Sequence, residues 1–360
     1  MRKIVLVLFV FMGLTTVTAQ KKIAMQPENW DLGKEKADFI NMNGQDVMKL
    51  SRGDVWAKNI DVADGIIDVD LSLYPQRSFA GIRFRGDEEG NSEMIYLRVP
   101  LSGRDDAIQY VPLFHNEANW QLYAEHQAHY VFPEKGWVHM KIVLKGNTAT
   151  LFMDTISKPV LTVQNLRTHN LKGKVGFASL DEEVFANLTY TAMPESAPTP
   201  VPVRKEEGLV TEYQISQSYT IAKEAKEIPY PSSMKFTWKT VPTDEDGLLD
   251  ISKYYTKQNA VTYQSRSNDI VWLKKEFTAN EPVTRKMNFD FASRVWVFLN
   301  GHILYHGDHS FFLKGTSYQG SIEKKFISDA LYLPLQKGKN ELLIGISAVA
   351  NGWGIISKIR

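Results

Sequence analysis

From residue 65 to residue 190 the apolar positions recur every second residue rather than every third or fourth. Gly65-Ile66-Ile67-Asp68-Val69-Asp70-Leu71-Ser72-Leu73 alternates almost strictly, as does Ala80-Gly81-Ile82-Arg83-Phe84-Arg85. From Glu93 to Val99, Met94, Tyr96 and Arg98 take one face, and Ile95, Leu97 and Val99 the other. Similar runs extend from Trp137 to Leu144, Thr148 to Met153 and Gly173 to Ala178. A period of two is that of a strand with one buried face. Gly86-Asp87, Ser102-Gly103 and Gly146-Asn147 punctuate the runs as turns, and Lys145-Gly146-Asn147 reads as a hairpin loop. Many short strands with closely spaced turns predict an antiparallel sandwich.

The second half repeats the pattern. Val271 to Phe277, Arg285 to Phe291 and Val295 to Leu299 read as strands. Asn300-Gly301 tolerates the positive φ of a tight turn, and His302 to Tyr305 returns from it. Lys337-Gly338-Lys339-Asn340 turns into a last strand from Glu341 to Ala348. Short helices are expected at Ser252 to Lys257 and Ser328 to Leu331. Between the halves, Met193 to Val203 carries four prolines, which favour extended backbone and cannot continue a ladder. The chain is therefore expected to be all-β, with two β-sandwich (jelly-roll) modules at 20–193 and 204–360, joined by a Pro-rich linker at 194–203.

Residues 1–19 stand apart. Arg2 and Lys3 precede an apolar run from Ile4 to Leu14, and Val17-Thr18-Ala19 offers small residues before a cut. This is the layout of a signal peptide, implying export to the periplasm or the medium. No other run is long enough for a membrane span, so no membrane insertion is expected. Across the 360 residues, 42 basic groups meet 41 acidic ones, leaving no electrostatic footprint for nucleic acid. The absence of cysteine excludes disulfides, thiolate catalysis and Cys-ligated metals.

The stretch from Phe79 to Tyr190 resembles the concanavalin A-like, laminin-G-like jelly rolls of secreted bacterial proteins. The resemblance rests on Ser78-Phe79-Ala80-Gly81-Ile82-Arg83-Phe84-Arg85, Tyr96-Leu97-Arg98-Val99-Pro100 with Ser102-Gly103-Arg104, Gln109-Tyr110-Val111-Pro112 and Trp120-Gln121-Leu122-Tyr123. Gly136 to Val143, Gly173-Lys174-Val175-Gly176-Phe177 and Phe185 to Tyr190 complete it. The second half resembles the galactose-binding-like sandwiches attached to polysaccharide-degrading enzymes, through Trp238 to Val241, Gly247 to Ile251 and Ser293-Arg294-Val295-Trp296-Val297-Phe298-Leu299-Asn300-Gly301-His302. These folds host binders, glycosidases and inert accessory modules alike, so function must come from a site.

No catalytic constellation stands out. A retaining glycosidase of the family 16 kind implies Glu-x-Asp-x-x-Glu, with its carboxylates about 5 Å apart. Asp68-Val69-Asp70-Leu71-Ser72-Leu73 lacks both glutamates, and its two aspartates read as a solvated face. Asp87-Glu88-Glu89 and Asp181-Glu182-Glu183 read as solvated loops, with a structural Ca²⁺ as the alternative. There is no Gly-x-Ser-x-Gly elbow. His302, His306 and His309 are spaced for a helix but lie in strand and loop, so no metal site is expected.

A binding face is the stronger expectation. Alternation places Arg83 with Arg85 and Tyr96 with Arg98, while His115, Trp120 and Tyr123 follow nearby. Flat rings cover the C–H faces of sugars, and planar polar groups grip paired hydroxyls. The expected ligand is a poly- or oligosaccharide, with no cofactor. Trp30, Trp56, Trp137 and Trp296 are expected in cores, and Trp353 in an exposed loop. The alternatives are a glycoside hydrolase of the concanavalin-like glucanase or keto-disaccharide hydrolase type, and a structural module whose halves bind each other or a protein partner. A groove filled by residues 204–360 would favour the last.

Overall fold

Alternation becomes a layered sandwich in residues 20–192. In the Gly65–Leu73 strand every second residue is buried, with Ile67, Val69, Leu71 and Leu73 facing inward. This strand lies centrally in an eight-stranded antiparallel sheet, flanked by Gly136–Lys145 and Glu183–Ala192. A second eight-stranded sheet runs in the order Glu117–Ala118, Ile108–Phe114, Ser92–Leu97, Ala80–Gly86, Gly173–Ser179, Gly53–Val62 and Trp30–Asp31, with Gln127–Ala128 also paired to Ile108–Phe114. One core fills the space between the sheets. Phe177 stacks on Trp30 at 4.7 Å and on Phe185 at 4.1 Å, joining the two layers.

The computed structural model describes residues 20–73, 79–154, 157–222, 225, 227–257, 268–315, 317–349 and 351–360. The expected signal peptide lies outside the described residues.

Residues 209–359 build a second sandwich from one ten-stranded sheet that folds on itself. The Val283–Leu299 strand makes this possible. Its residues Met287–Ala292 pair with Gly354–Ile359, whereas Arg294–Leu299 pair with Gly338–Ser347. Ser293 lies between the two pairings with φ at 72°, a left-handed corner that turns the strand from one layer to the other. Leu249, Phe289, Phe291, Val297, Ile344 and Ile355 fill the space inside. The final strand, Gly354–Ile359, is interior to the sheet, between Val283–Leu299 and Leu248–Asp250.

Several local expectations change. The expected helix at Ser328 to Leu331 is part of a strand, Asp329–Leu335, because Val283–Leu299 offers it a ladder. The one at Ser252 to Lys257 shrinks to a single 3-10 turn, Ile251–Lys253, capped by Asp250. Trp353 is fully buried, not loop-exposed, and its indole donates to Ile346 O at 3.0 Å. Trp137 is 38% exposed rather than core. Trp30 and Trp296 are buried as expected.

Arg85 does not share a face with Arg83. It adopts φ at 53°, beside a register shift between Lys174 and Gly176, and this turns its side chain toward the end of the sandwich. There its guanidinium donates to Asp64 at 3.0 Å and to Gly146 O at 2.6 Å. Asp64 also accepts from Gly146 N at 2.8 Å and from Ser196 N at 2.7 Å. The proline-rich segment is thus tied to the first sandwich, and Thr199 exchanges two hydrogen bonds with the Asn147 side chain.

Asp64 and Arg85 are both buried, so removing one partner strands the other's charge. Asp64→Ala is expected to cost about 3 kcal/mol or more of unfolding free energy by urea titration. A cost under about 1 kcal/mol would mean that the knot is solvated and dispensable.

Candidate functional site

The outward face of the second sheet is where the expected ligand residues belong, and its burial is unusual. Ala80–Gly86, Ser92–Leu97 and Ile108–Phe114 are buried at every position, not at every other one. A strand buried on both faces needs a second cover. For Ser92–Leu97 and Ile108–Phe114 that cover is the C-terminal sandwich, whereas Arg83 and Arg85 of Ala80–Gly86 are covered by residues of their own sandwich. Met94, Tyr96, Val111, Leu113, Leu122 and Tyr123 form one apolar cluster with Leu248, Ala292, Ile322, Ile327 and Ile356.

Most of the expected ligand residues lie in this contact. The Tyr123 hydroxyl donates to Asp250 at 2.8 Å. His115 Nδ1 lies 2.9 Å from Ser252 O. Trp120 meets Phe311 edge to face at 5.2 Å. Arg98 is buried, with its guanidinium 5.7 Å from the Tyr96 ring centroid and 5.0 Å from that of Trp120. Arg83 lies apart from these five. It is fully buried, 4.4 Å over the Trp56 ring, and donates to Asp54 at 2.6 Å, Ser92 and Asn116. The structure thus brings together Tyr96, Arg98 and Trp120, sets His115 and Tyr123 further along the same seam, and separates Arg83 and Arg85 from them.

Charge surrounds the apolar contact. Arg167 reaches Asp246 at 2.7 Å, and Lys324 bridges Glu125 at 2.5 Å and Asp246 at 3.0 Å. Lys253 pairs with Asp244 at 2.5 Å. Lys257 pairs with Glu117 and donates to Asn119 at 2.9 Å, and Asn119 donates to Ser252 at 2.7 Å. Burial opposes the charge on Asp246, yet Lys324 and Arg167 hold its carboxyl well below the usual range. Burial pushes Asp250 up, against hydrogen bonds from Ser252 and Tyr123. Burial also lowers His126 to about 4, despite neighbouring Glu125.

At one end the seam opens into a cleft of about 420 Å³, lined by Gly103, Arg104, Asp105, Asp106, Gln127 and Gln319. Both sandwiches contribute to it. Asp106 accepts from Arg98 at 3.1 Å and from Arg104 at 3.0 Å, and Gln319 of the second sandwich also donates to it. Gln127 bonds to Gln109, which in turn bonds Tyr96 at 2.9 Å. Tyr96, Arg98 and Trp120 therefore form the layer behind the lining. Sequence reading missed the lining residues, which lie in turns and on a two-residue strand without periodicity.

On the opposite sheet, Asp68 and Asp70 face His139 across the ladder. His139 Nδ1 lies 2.7 Å from Asp70, and Nε2 lies 3.1 Å from Asp68. The two carboxylates raise its pKa to about 9. Asp87 accepts from Asn91 within its own turn and from Asn170 of a distant loop. Among the described residues no cluster of three His, Cys, Asp or Glu side chains could hold a metal, and no helix is long and apolar enough to cross a membrane.

No protein-family model and no curated protein sequence matches the chain. Solved structures do match it in part. The carbohydrate binding module CBM66 from Bacillus subtilis aligns at 15% identity over 46% of this chain and 96% of its own, with a TM-score of 0.37. A putative glycosyl hydrolase from Parabacteroides distasonis aligns at 15% identity over 49% and 100%, with a TM-score of 0.36. The Bacillus licheniformis β-glucanase aligns at 12% identity over 50% and 100%, with a TM-score of 0.35.

Burial of neutral His126 beside the seam has a pH signature. Unfolded histidine takes up a proton near 6.5, but the folded one only near 4. The unfolded state binds more protons in that window, so stability is lost as pH falls through it. Between pH 7 and pH 5 His126 by itself is expected to lower the unfolding free energy by about 2 kcal/mol, and His126→Gln should remove that part of the slope. His139, raised to about 9, partly offsets this drop because its stabilisation is still being completed as pH falls through 6.5, and His306, lowered by burial, adds to the drop; both are common to wild type and variant, so the difference between the two slopes reports His126. Equal slopes in wild type and variant would assign the pH dependence to other groups.

Proposed function

We propose that the protein is an exported, non-catalytic carbohydrate-binding protein that holds a poly- or oligosaccharide in the cleft between its two sandwiches. The observation that carries this reading is the lining of the cleft. Arg104 offers a planar donor fork, Gln127 and Gln319 offer amides, and Asp105 offers a carboxylate. Sugar hydroxyls both donate and accept, so a mixed lining suits them better than a cation cluster or an apolar pocket. Behind it, the Tyr96–Arg98–Trp120 stack and the Arg98–Asp106 pair fix the lining before a ligand arrives, which lowers the ordering cost of binding. Arg98 and Trp120 act in this reading through Asp106 and the seam, not by direct contact.

The covered outward face favours a second reading, in which the pairing of the sandwiches is itself the purpose and the cleft is only its edge. The two readings separate at Arg104 and Gln127, which line the cleft but lie outside the apolar contact. Changing both to Ala is expected to weaken glycan binding by about tenfold, or about 1.4 kcal/mol, with the melting temperature near wild type. Arg98→Ala, by contrast, should lower the melting temperature, because it leaves Asp106 without its buried partner. A glycan array on residues 20–360 is the measurement; unaltered binding by the Arg104/Gln127 variant would leave the structural reading.

A further inference from the structure

A second cleft, of about 450 Å³, lies at the far edge of the same sheet, away from the seam. It arises from an irregularity in the Gly53–Val62 strand. Trp56 pairs with Gly176 and Asp61 with Lys174, so four residues on one strand stand against Val175 alone on the other. The excess loops out at Lys58 and Asn59, both exposed, with Asn59 at φ 57°. Ala57 and Ile60 on either side are buried and anchor the excursion, and Lys21 Nζ donates to Asn59 O at 2.7 Å. The loop forms one wall of the cleft.

Trp56 forms another wall. Its half-buried ring lies directly on the sheet backbone, because a Cβ at Gly86 would come within 2.5 Å of the ring and one at Gly176 within 2.9 Å. Arg83, fully buried, holds the ring through the cation–π contact. Around it stand Lys58, Lys172 and Lys174, with Asp31 and Asp61. Lys174 is paired with Glu88 at 2.8 Å, whereas Lys58 and Lys172 are exposed and paired with no acid among the described residues.

We propose that this cleft is a separate binding site for an acidic sugar, a uronate unit whose ring packs on Trp56 and whose carboxylate meets Lys58 and Lys172. A fixed aromatic ring suits the apolar face of a pyranose, the two unpaired ammonium groups suit one carboxylate, and Asp31 and Asp61 accept hydroxyl hydrogens. The site does not depend on the seam cleft and shares no lining residue with it.

Calorimetric titration of residues 20–360 with trigalacturonate tests the proposal, with the fully methyl-esterified trimer and inorganic sulfate as comparison probes. Trigalacturonate should bind, and its affinity should fall when salt is raised from about 50 mM to about 500 mM. The ester should bind at least about tenfold more weakly, and Lys58→Gln/Lys172→Gln should weaken the acid by about tenfold or more without changing the ester. Both substitutions are at exposed positions, so the fold should persist. Trp56→Phe, which keeps a ring for Arg83, should weaken both trimers. The Arg104/Gln127 variant should leave this binding intact, which separates it from the seam. No binding of trigalacturonate, equal binding of acid and ester, sulfate competing as well as the trimer, or wild-type affinity in the double-lysine variant would each overturn the assignment.

Discussion

The architecture depends on removing one apolar sheet face from water. Met94, Tyr96, Val111 and Leu113 point outward from the first sandwich, away from its own core. Left bare, such a patch would lose the roughly 25 cal/mol per Å² that burial supplies and would invite association. The C-terminal sandwich covers it with Leu248, Ala292, Ile322, Ile327 and Ile356. What could have been an open ligand surface is therefore in large part an internal contact. The open clefts lie at its margins: the end where the seam opens, and the edge that the cover does not reach.

The charges around the contact act differently from its apolar centre. Arg167, Lys324 and Lys257 each meet an acid across the seam, and burial raises the cost of any pairing that is misplaced. Apolar surface alone would accept many relative placements of two sandwiches. Hydrogen-bonded ion pairs accept few, so they select the placement that the apolar face stabilises. The same selection positions Gln319 beside Asp106, and with it completes the seam cleft from both sides.

Periodicity made the strands, the hairpins and the two sandwiches legible, because a period of two is a local property. The errors came where a side chain's direction is not local. Arg85 breaks alternation through one left-handed residue beside a bulge, and no pattern in Ala80–Gly86 announces it. Trp353, between glycines, looks like a loop residue until the Ile346 carbonyl and the core close over it. Asp329–Leu335 becomes a strand only because a distant ladder is available. The covered face did carry a signal: Met94, Val111 and Leu113 are apolar on the side that should meet solvent in a lone sandwich. Trp56, expected in a core, is half-buried on the outward face, and its alternation with buried Val55 and Ala57 was the signal for that. The lining of the seam cleft had no signal, because turn residues from both modules meet there only in three dimensions.

The position of the last strand has a consequence for biosynthesis. Gly354–Ile359 is interior to its sheet, so the C-terminal sandwich cannot close until residues 354–359 are available to it. The first sandwich is complete far earlier, at residue 192. For the whole interval it carries a finished core beneath an uncovered, adhesive outer face. In any folding order that completes the first sandwich first, its apolar outer face is bare until the second sandwich closes, a stage of the kind at which aggregation competes with folding.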